Sequence, residues 1–73
     1  MKPLREWRIE RLLSVRALAE AAGVQHKTVI DLEHGRRRPT YETIRRMSEA
    51  LGVVPGEVEE FAATLEERGK DAA

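Results

Sequence analysis

Apolar residues in this chain recur at intervals of three and four, in short segments separated by glycine, proline and helix-capping residues. This spacing is the period of an α-helix, and almost no segment shows the two-residue alternation that is typical of a β-strand. The chain has 73 residues, which is enough for one domain. A core of that size contributes only about 3–5 kcal/mol, so the helices have to pack well. The pattern therefore predicts a single all-α domain.

Five helices are expected, joined by short loops. Ser14 and Thr40 are good N-cap residues, because their hydroxyl groups can accept hydrogen bonds from the free amides of a first turn. Gly23 and Gly52 follow apolar stripes and can adopt the left-handed conformation that ends a helix. With these signals, the expected helices cover about residues 3–12, 15–22, 26–34, 41–51 and 57–68. We expect a compact five-helix bundle over residues 1–68 and a flexible tail over residues 69–73.

The formal net charge is zero, but the charges are unevenly distributed. Residues 1–48 contain eleven Lys and Arg against six Asp and Glu, whereas residues 49–73 contain two against seven. Local patches, not the total, set the electrostatic field at a surface. The basic first part suits a polyanionic partner, although a solvated charged surface would give the same counts.

Several classes of protein find no support in the residues. The chain has no cysteine, and its two histidines, His26 and His34, are eight residues apart, not the four that a helical zinc pair needs. There is no glycine-rich phosphate loop, and five helices of this size leave little room for a deep pocket. No apolar run approaches the roughly 18 residues that span a bilayer, and no signal peptide is recognisable. We therefore expect no enzyme activity, no cofactor, no metal and no membrane contact, and a cytoplasmic location.

Residues 15–34 form a pair of expected helices separated only by Gly23-Val24-Gln25, which is enough for a sharp turn. When the second helix of the pair is projected at 100° per residue with Val29 inward, Leu32 and Glu33 face the same way. The opposite side then carries Lys27, Asp31 and His34, with Thr28 at its flank and His26 exposed at the N-terminal end. These residues are suited to base edges and phosphates, but an ordinary surface helix with a Lys27–Asp31 pair has the same pattern.

An ordered set of motifs distinguishes these two interpretations. The segments are Ser14-Val-Arg-Ala-Leu-Ala-Glu-Ala-Ala-Gly23-Val24, Thr28-Val-Ile-Asp-Leu-Glu33-His-Gly35, Pro39-Thr-Tyr-Glu-Thr-Ile44 and Ala50-Leu-Gly-Val53. In this order and spacing they resemble the Cro/repressor (XRE-type) family over about residues 4–61. The resemblance implies a lambda-repressor-like helix-turn-helix domain that places its third helix in the major groove of double-stranded DNA.

The resemblance also implies roles for particular residues. Those expected to contact base edges or phosphates are Gln25, His26, Lys27, Thr28 and Asp31, and those expected to contact the DNA backbone are His34, Arg36, Arg37 and Arg38. Arg8 and Glu33 match a pair that joins the first and third helices in this family, and we interpret them as a structural ion pair. Leu12 departs from the pattern because many members have glycine there, and Ile30 replaces a commonly polar residue.

The expected function is sequence-specific DNA binding as a transcriptional regulator, a repressor rather than an activator, that acts as a homodimer on a palindromic operator and is nucleoid-associated when bound. The alternative is a protein-interaction module on the same fold, such as an antitoxin-like or adaptor domain. The acidic last helix, with its stripe of Val58, Phe61 and Leu65, supports that alternative. Val58 and Phe61 are expected to complete the core, whereas Leu65 could either cover its edge or form a homodimer contact.

Overall fold

The computed structural model describes the backbone of residues 1–72 and the side chains of residues 1–67. Five α-helices follow one another along the chain, and their bounds are α1 Leu4–Glu10, α2 Val15–Ala22, α3 His26–Glu33, α4 Tyr41–Leu51 and α5 Glu59–Ala72. A 3-10 turn over Pro55–Glu57 precedes α5. Within residues 1–72 no strand occurs, and the expected all-α five-helix class is confirmed. The predicted flexible tail concerns residues 69–73, whose side chains lie outside the described residues, and it stays a prediction.

The N-caps of α2 and α4 are the residues that the sequence indicates. The Ser14 hydroxyl accepts a hydrogen bond from the Ala17 amide at 3.0 Å, and the Thr40 hydroxyl accepts one from Thr43 at 3.1 Å. Each hydroxyl satisfies an amide that has no partner inside its helix. Local sequence is therefore sufficient to set where these two helices begin.

The first four helices end with the same backbone motif, in which one residue turns left-handed and two amides bond back to the last turn. At three of these ends the left-handed residue is glycine, at Gly23, Gly35 and Gly52. At the end of α1 it is Leu12, with φ 58°. Because Leu12 leaves the helical conformation, α1 ends at Glu10 and not at about Leu12 as the apolar spacing predicts.

The start of α5 also differs from the prediction, by two residues, because the chain's N-terminus pairs with the segment before it. The Lys2 amide donates to the Glu57 carbonyl at 3.2 Å, and the Lys2 carbonyl accepts from Glu59 at 2.9 Å. These bonds make a parallel bridge between Lys2 and Val58, which is held extended with φ −99° and ψ 120°. Trp7 strengthens the same junction by donating its Nε1–H to the Glu57 carbonyl at 2.9 Å.

All five helices contribute to one core. Its buried residues are Leu4, Leu18, Ala19, Ala22, Val29, Leu32, Ile44, Met47, Leu51, Val58 and Phe61. Val58 and Phe61 complete the core from the C-terminal side as expected, while Leu65 is partly buried at its edge. Within the described part of the chain, none of the helices has the length and apolar character needed to cross a bilayer.

Candidate nucleic-acid interface

The helix-turn-helix consists of α2, the turn over residues 23–25, and α3. Gly23 takes a left-handed conformation with φ 69°, and the Val24 amide then bonds back to the Ala19 carbonyl at 3.0 Å. Arg46 of α4 reaches the turn from outside, and its Nη1 donates to the Gly23 carbonyl at 3.4 Å. Sequence reasoning did not single out Arg46, because a contact between residues 23 positions apart has no local signal.

The inward side of α3 fixes how this helix is oriented. Val29 and Leu32 are fully buried, and the side chain of Glu33 is only 5% exposed. The Glu33 carboxylate accepts from Arg8 of α1 through two contacts, Nε–Oε2 at 2.6 Å and Nη2–Oε1 at 3.3 Å. Arg8 also donates from Nη1 to the Leu13 carbonyl at 2.9 Å. This arrangement of charges joins α1, α3 and the loop between α1 and α2.

The N-terminal end of α3 is exposed. Gln25, His26 and Lys27 all lie at the surface, and the Gln25 side chain forms no capping hydrogen bond. The N-terminal end of a helix carries a partial positive charge and attracts anions. The exposed N-terminal end of α3 therefore suits a phosphate-rich partner. These three residues thus lie together where the sequence places them.

His34 lies at the other end of the same helix and is also exposed. Its Nδ1 is 2.8 Å from the Ile30 carbonyl oxygen. Because a carbonyl can only accept, Nδ1 carries the proton and donates it, which orients the ring and leaves Nε2 at its outer edge. A ring held in this way can offer Nε2 to a partner with little further loss of side-chain freedom.

Two of the candidate contact residues face the arginine loop, residues 36–38, and are less exposed than the helical projection suggests. Thr28 is only 9% exposed, and its hydroxyl accepts a hydrogen bond from Arg37 Nη1 at 2.8 Å. The Asp31 side chain is 17% exposed and lies 3.8 Å from Arg36 Nη1. The loop turns back along α3 after Gly35, which a projection of the isolated helix cannot represent.

The arginine loop is a basic surface beside α3. The side chains of Arg36 and Arg38 are 65% and 71% exposed, and Arg38 Nη1 lies 2.8 Å from Glu67 Oε2 of α5. A cavity of 320 Å³ lies where this loop meets α3 and the start of α4, and its polar lining includes Gln25, Thr28, Arg37, Thr40 and Thr43. The arginine loop, the N-terminal end of α3 and the start of α4 therefore border one cavity.

On α4, the Arg45 guanidinium lowers the pKa of the Glu42 carboxyl by hydrogen bonding and charge, and Arg46 contributes to the same effect. Arg46 Nε bonds to Glu42 at 2.9 Å, while its Nη1 contacts the turn. The acidic partner orients the guanidinium that contacts Gly23.

An all-α bundle with a sharp turn between α2 and α3, and with an exposed polar end on α3, defines a helix-turn-helix DNA-binding domain. The family model described as Helix-turn-helix matches residues 4–58, most of the chain. The chain belongs to this family, the Cro/C1-type (XRE) helix-turn-helix proteins. It is a family of DNA-binding proteins and not of enzymes. Among curated proteins and among solved structures, no significant match to the chain was found.

Proposed function

We propose that this chain is a sequence-specific transcriptional regulator that inserts α3 into the major groove of double-stranded DNA. The observation that carries the proposal is the division of α3 into two sides. Val29, Leu32 and the paired Glu33 hold one side in the protein, while Lys27 and His34 on the other side, and His26 at the N-terminal end, are exposed. A helix with these dimensions and an open polar side fits the major groove, which is about 12 Å wide.

In the proposed complex, contacts are divided between bases and phosphates. Gln25, His26 and Lys27 reach base edges or nearby phosphates, and His34 lies beside the DNA backbone. Each of these residues lies on the exposed side or end of α3. The arginine loop neutralises phosphates, and each such contact contributes about −0.9 to the slope of log affinity against log salt.

Thr28 and Asp31 lie at the inner edge of the proposed DNA-contacting surface, where both side chains are largely buried. Asp31 can accept a hydrogen bond from a cytosine amino group, with Arg36 nearby to offset its repulsion of phosphate. The hydroxyl of Thr28 supports Arg37 at the same edge. Repression is the mode that we propose, because occupancy of an operator is enough to exclude another protein from it.

A palindromic operator requires two copies of the domain, with their α3 helices about 34 Å apart along the DNA. An apolar groove of 520 Å³ between α4 and α5 supports association, and its lining includes Ile44, Val53 and Leu65. We therefore propose a homodimer, at least on DNA, located in the cytoplasm and associated with the nucleoid when bound. Sedimentation of the chain with a selected duplex tests this, since two chains per duplex are expected.

The experiment that tests the function is selection of bound sequences from a random DNA pool, followed by fluorescence anisotropy with the selected duplex and a scrambled one. Lys27→Ala and His26→Ala are each expected to reduce the ratio of the two affinities about tenfold, because a good base contact contributes about 1–3 kcal/mol of discrimination. Their thermal stability should stay unchanged, since both side chains are exposed.

Arg5→Ala is the matched control, because it removes one exposed positive charge from α1, and Arg5 lines neither the cavity beside α3 nor the apolar groove. It is expected to leave the affinity ratio unchanged. Equal losses on selected and scrambled DNA for the α3 variants would contradict sequence readout by this helix.

The same apolar groove favours a second candidate, a protein-interaction module on this fold, such as an antitoxin-like or adaptor domain. Val54, 67% exposed, adds apolar surface near the groove. A pure interaction module would elute from a heparin or DNA column at low salt, whereas a DNA-binding protein would be retained.

A further inference from the structure

A groove of 650 Å³ separates the arginine loop from α5. One wall carries the three arginines, and the other carries Glu60, Glu66 and Glu67. Glu60 is already engaged, because its Oε1 accepts from the Leu4 amide at 2.8 Å. Glu67 instead reaches across the groove and pairs with Arg38 at 2.8 Å. The basic and acidic parts of the chain thus meet through a direct ion pair.

The helix that supplies Glu67 lies beyond residues 4–58, which the family model matches. The ion pair between Arg38 and Glu67 is therefore not part of the region that defines the family. The chain has a net charge of zero because its last third carries more acidic than basic residues. Part of that acidic charge lies against the loop that is proposed to contact phosphate.

We propose that Glu67 is an internal competitor of DNA phosphate for Arg38, so that α5 reduces both the affinity for DNA and its salt dependence. The inference rests on the proposed function, since it requires the arginine loop to contact DNA. In the free protein the pair occupies Arg38; on binding, Arg38 exchanges the Glu67 carboxylate for a phosphate. No covalent bond changes; the Arg38 guanidinium is paired with Glu67 before DNA binds and with a phosphate afterwards.

The exposure of the two side chains makes this exchange possible. Arg38 is 71% and Glu67 53% exposed, so water screens the pair and it is readily broken. Exposed pairs of this kind shift an equilibrium by only about twofold to fivefold. The densely charged phosphate backbone of DNA can therefore displace Glu67 from Arg38. Because the ion pair has to be broken first, the affinity for DNA is lowered by the same factor of about twofold to fivefold.

The salt dependence follows from the same exchange. A phosphate contact normally releases condensed cations from DNA, which gives a slope of about −0.9 per contact. When Arg38 leaves Glu67, the freed carboxylate attracts a cation, and part of that release is cancelled. Removal of the carboxylate should therefore make the slope steeper by up to about 0.9.

The test is a comparison of Glu67→Gln with Glu59→Gln, each in the full chain and each with one acidic charge removed from α5. Glu59 is exposed at the first turn of α5 and is not part of the groove lining. Binding to the selected duplex is measured by fluorescence anisotropy between about 50 mM and 200 mM salt. We expect Glu67→Gln to bind about twofold to fivefold more tightly at the low-salt end, and with a steeper slope, than Glu59→Gln.

A third variant, Arg38→Gln, shows whether the effect passes through the pair. In that background Glu67→Gln is expected to match Glu59→Gln, because no guanidinium remains for Glu67 to hold. If Glu67→Gln and Glu59→Gln are equal in the original chain, or if the gain persists without Arg38, the competition is overturned while DNA binding stands. If the original chain binds no duplex, the proposed function fails, and the inference fails with it.

Discussion

Leu12 offers a test of backbone strain that is nearly free of packing effects. Its φ is 58°, in the left-handed region, and its side chain is 92% exposed. A left-handed conformation costs a non-glycine residue about 1–2 kcal/mol. Glycine avoids that cost but adds about 0.4–1 kcal/mol of unfolded-state entropy. We therefore expect Leu12→Gly to raise the free energy of unfolding by about 0.5–1 kcal/mol, the difference between these two terms.

The chain supplies matched controls for this prediction. Leu12→Ala keeps the left-handed strain and loses little packing, so its stability should stay within about 0.5 kcal/mol of the original. Gly52→Ala makes the opposite change at an equivalent helix end, where φ is 68° and an added Cβ would meet nothing within 4 Å. It should destabilise the fold by about 0.5–1 kcal/mol, through the same terms with opposite sign.

Urea and thermal unfolding, followed by far-UV circular dichroism and by the fluorescence of the single tryptophan, measure these differences. For a domain of this size, about 1 kcal/mol corresponds to about 4–8 °C in Tm. Trp7 is a useful second probe because Lys2 and Arg11 both lie over its ring, at 4.2 and 5.2 Å from the centroid. A Leu12→Gly variant no more stable than Leu12→Ala would refute the presence of backbone strain at Leu12.

Two further substitutions test contacts around α3. Arg8→Ala should destabilise folding by about 3–5 kcal/mol, because it leaves the Glu33 carboxylate, 5% exposed, without its partner; an unchanged Tm would contradict this. Thr28→Val keeps the side-chain volume but removes the acceptor for Arg37, so DNA affinity should fall about twofold to tenfold, as expected for the loss of about 0.5–1.5 kcal/mol. Thr28→Ser retains the hydroxyl and should keep most of the affinity, and equal losses in anisotropy for both variants would assign Thr28 a packing role instead.

Much of the fold follows from signals that act over a few residues. Ser14 and Thr40 cap helices by accepting hydrogen bonds from amides only three residues further on. Gly23 and Gly52 end helices because their own backbones accept a left-handed conformation. The three-residue turn and the inward side of α3 are equally local. For this reason the helix-turn-helix can be predicted from the sequence, and the order of its motifs is enough to indicate the family.

The site could be predicted only in part. His26 and Lys27 lie at the exposed end of α3, as a projection of that helix indicates. Thr28 does not follow the projection, since the arginine loop lies against its hydroxyl and a single helix contains no information about the next loop. The partner of Arg38 is likewise a residue of a different helix.

The sequence by itself determined where the polar and apolar sides of each helix lie and where most helices begin or end. Only the tertiary structure decided that α5 begins after Val58, because Lys2 bonds to the backbone on both sides of that residue. It also decided that Glu67 faces Arg38. Local signals act through the few bonds between neighbouring residues, whereas these features depend on contacts between segments that only folding brings together.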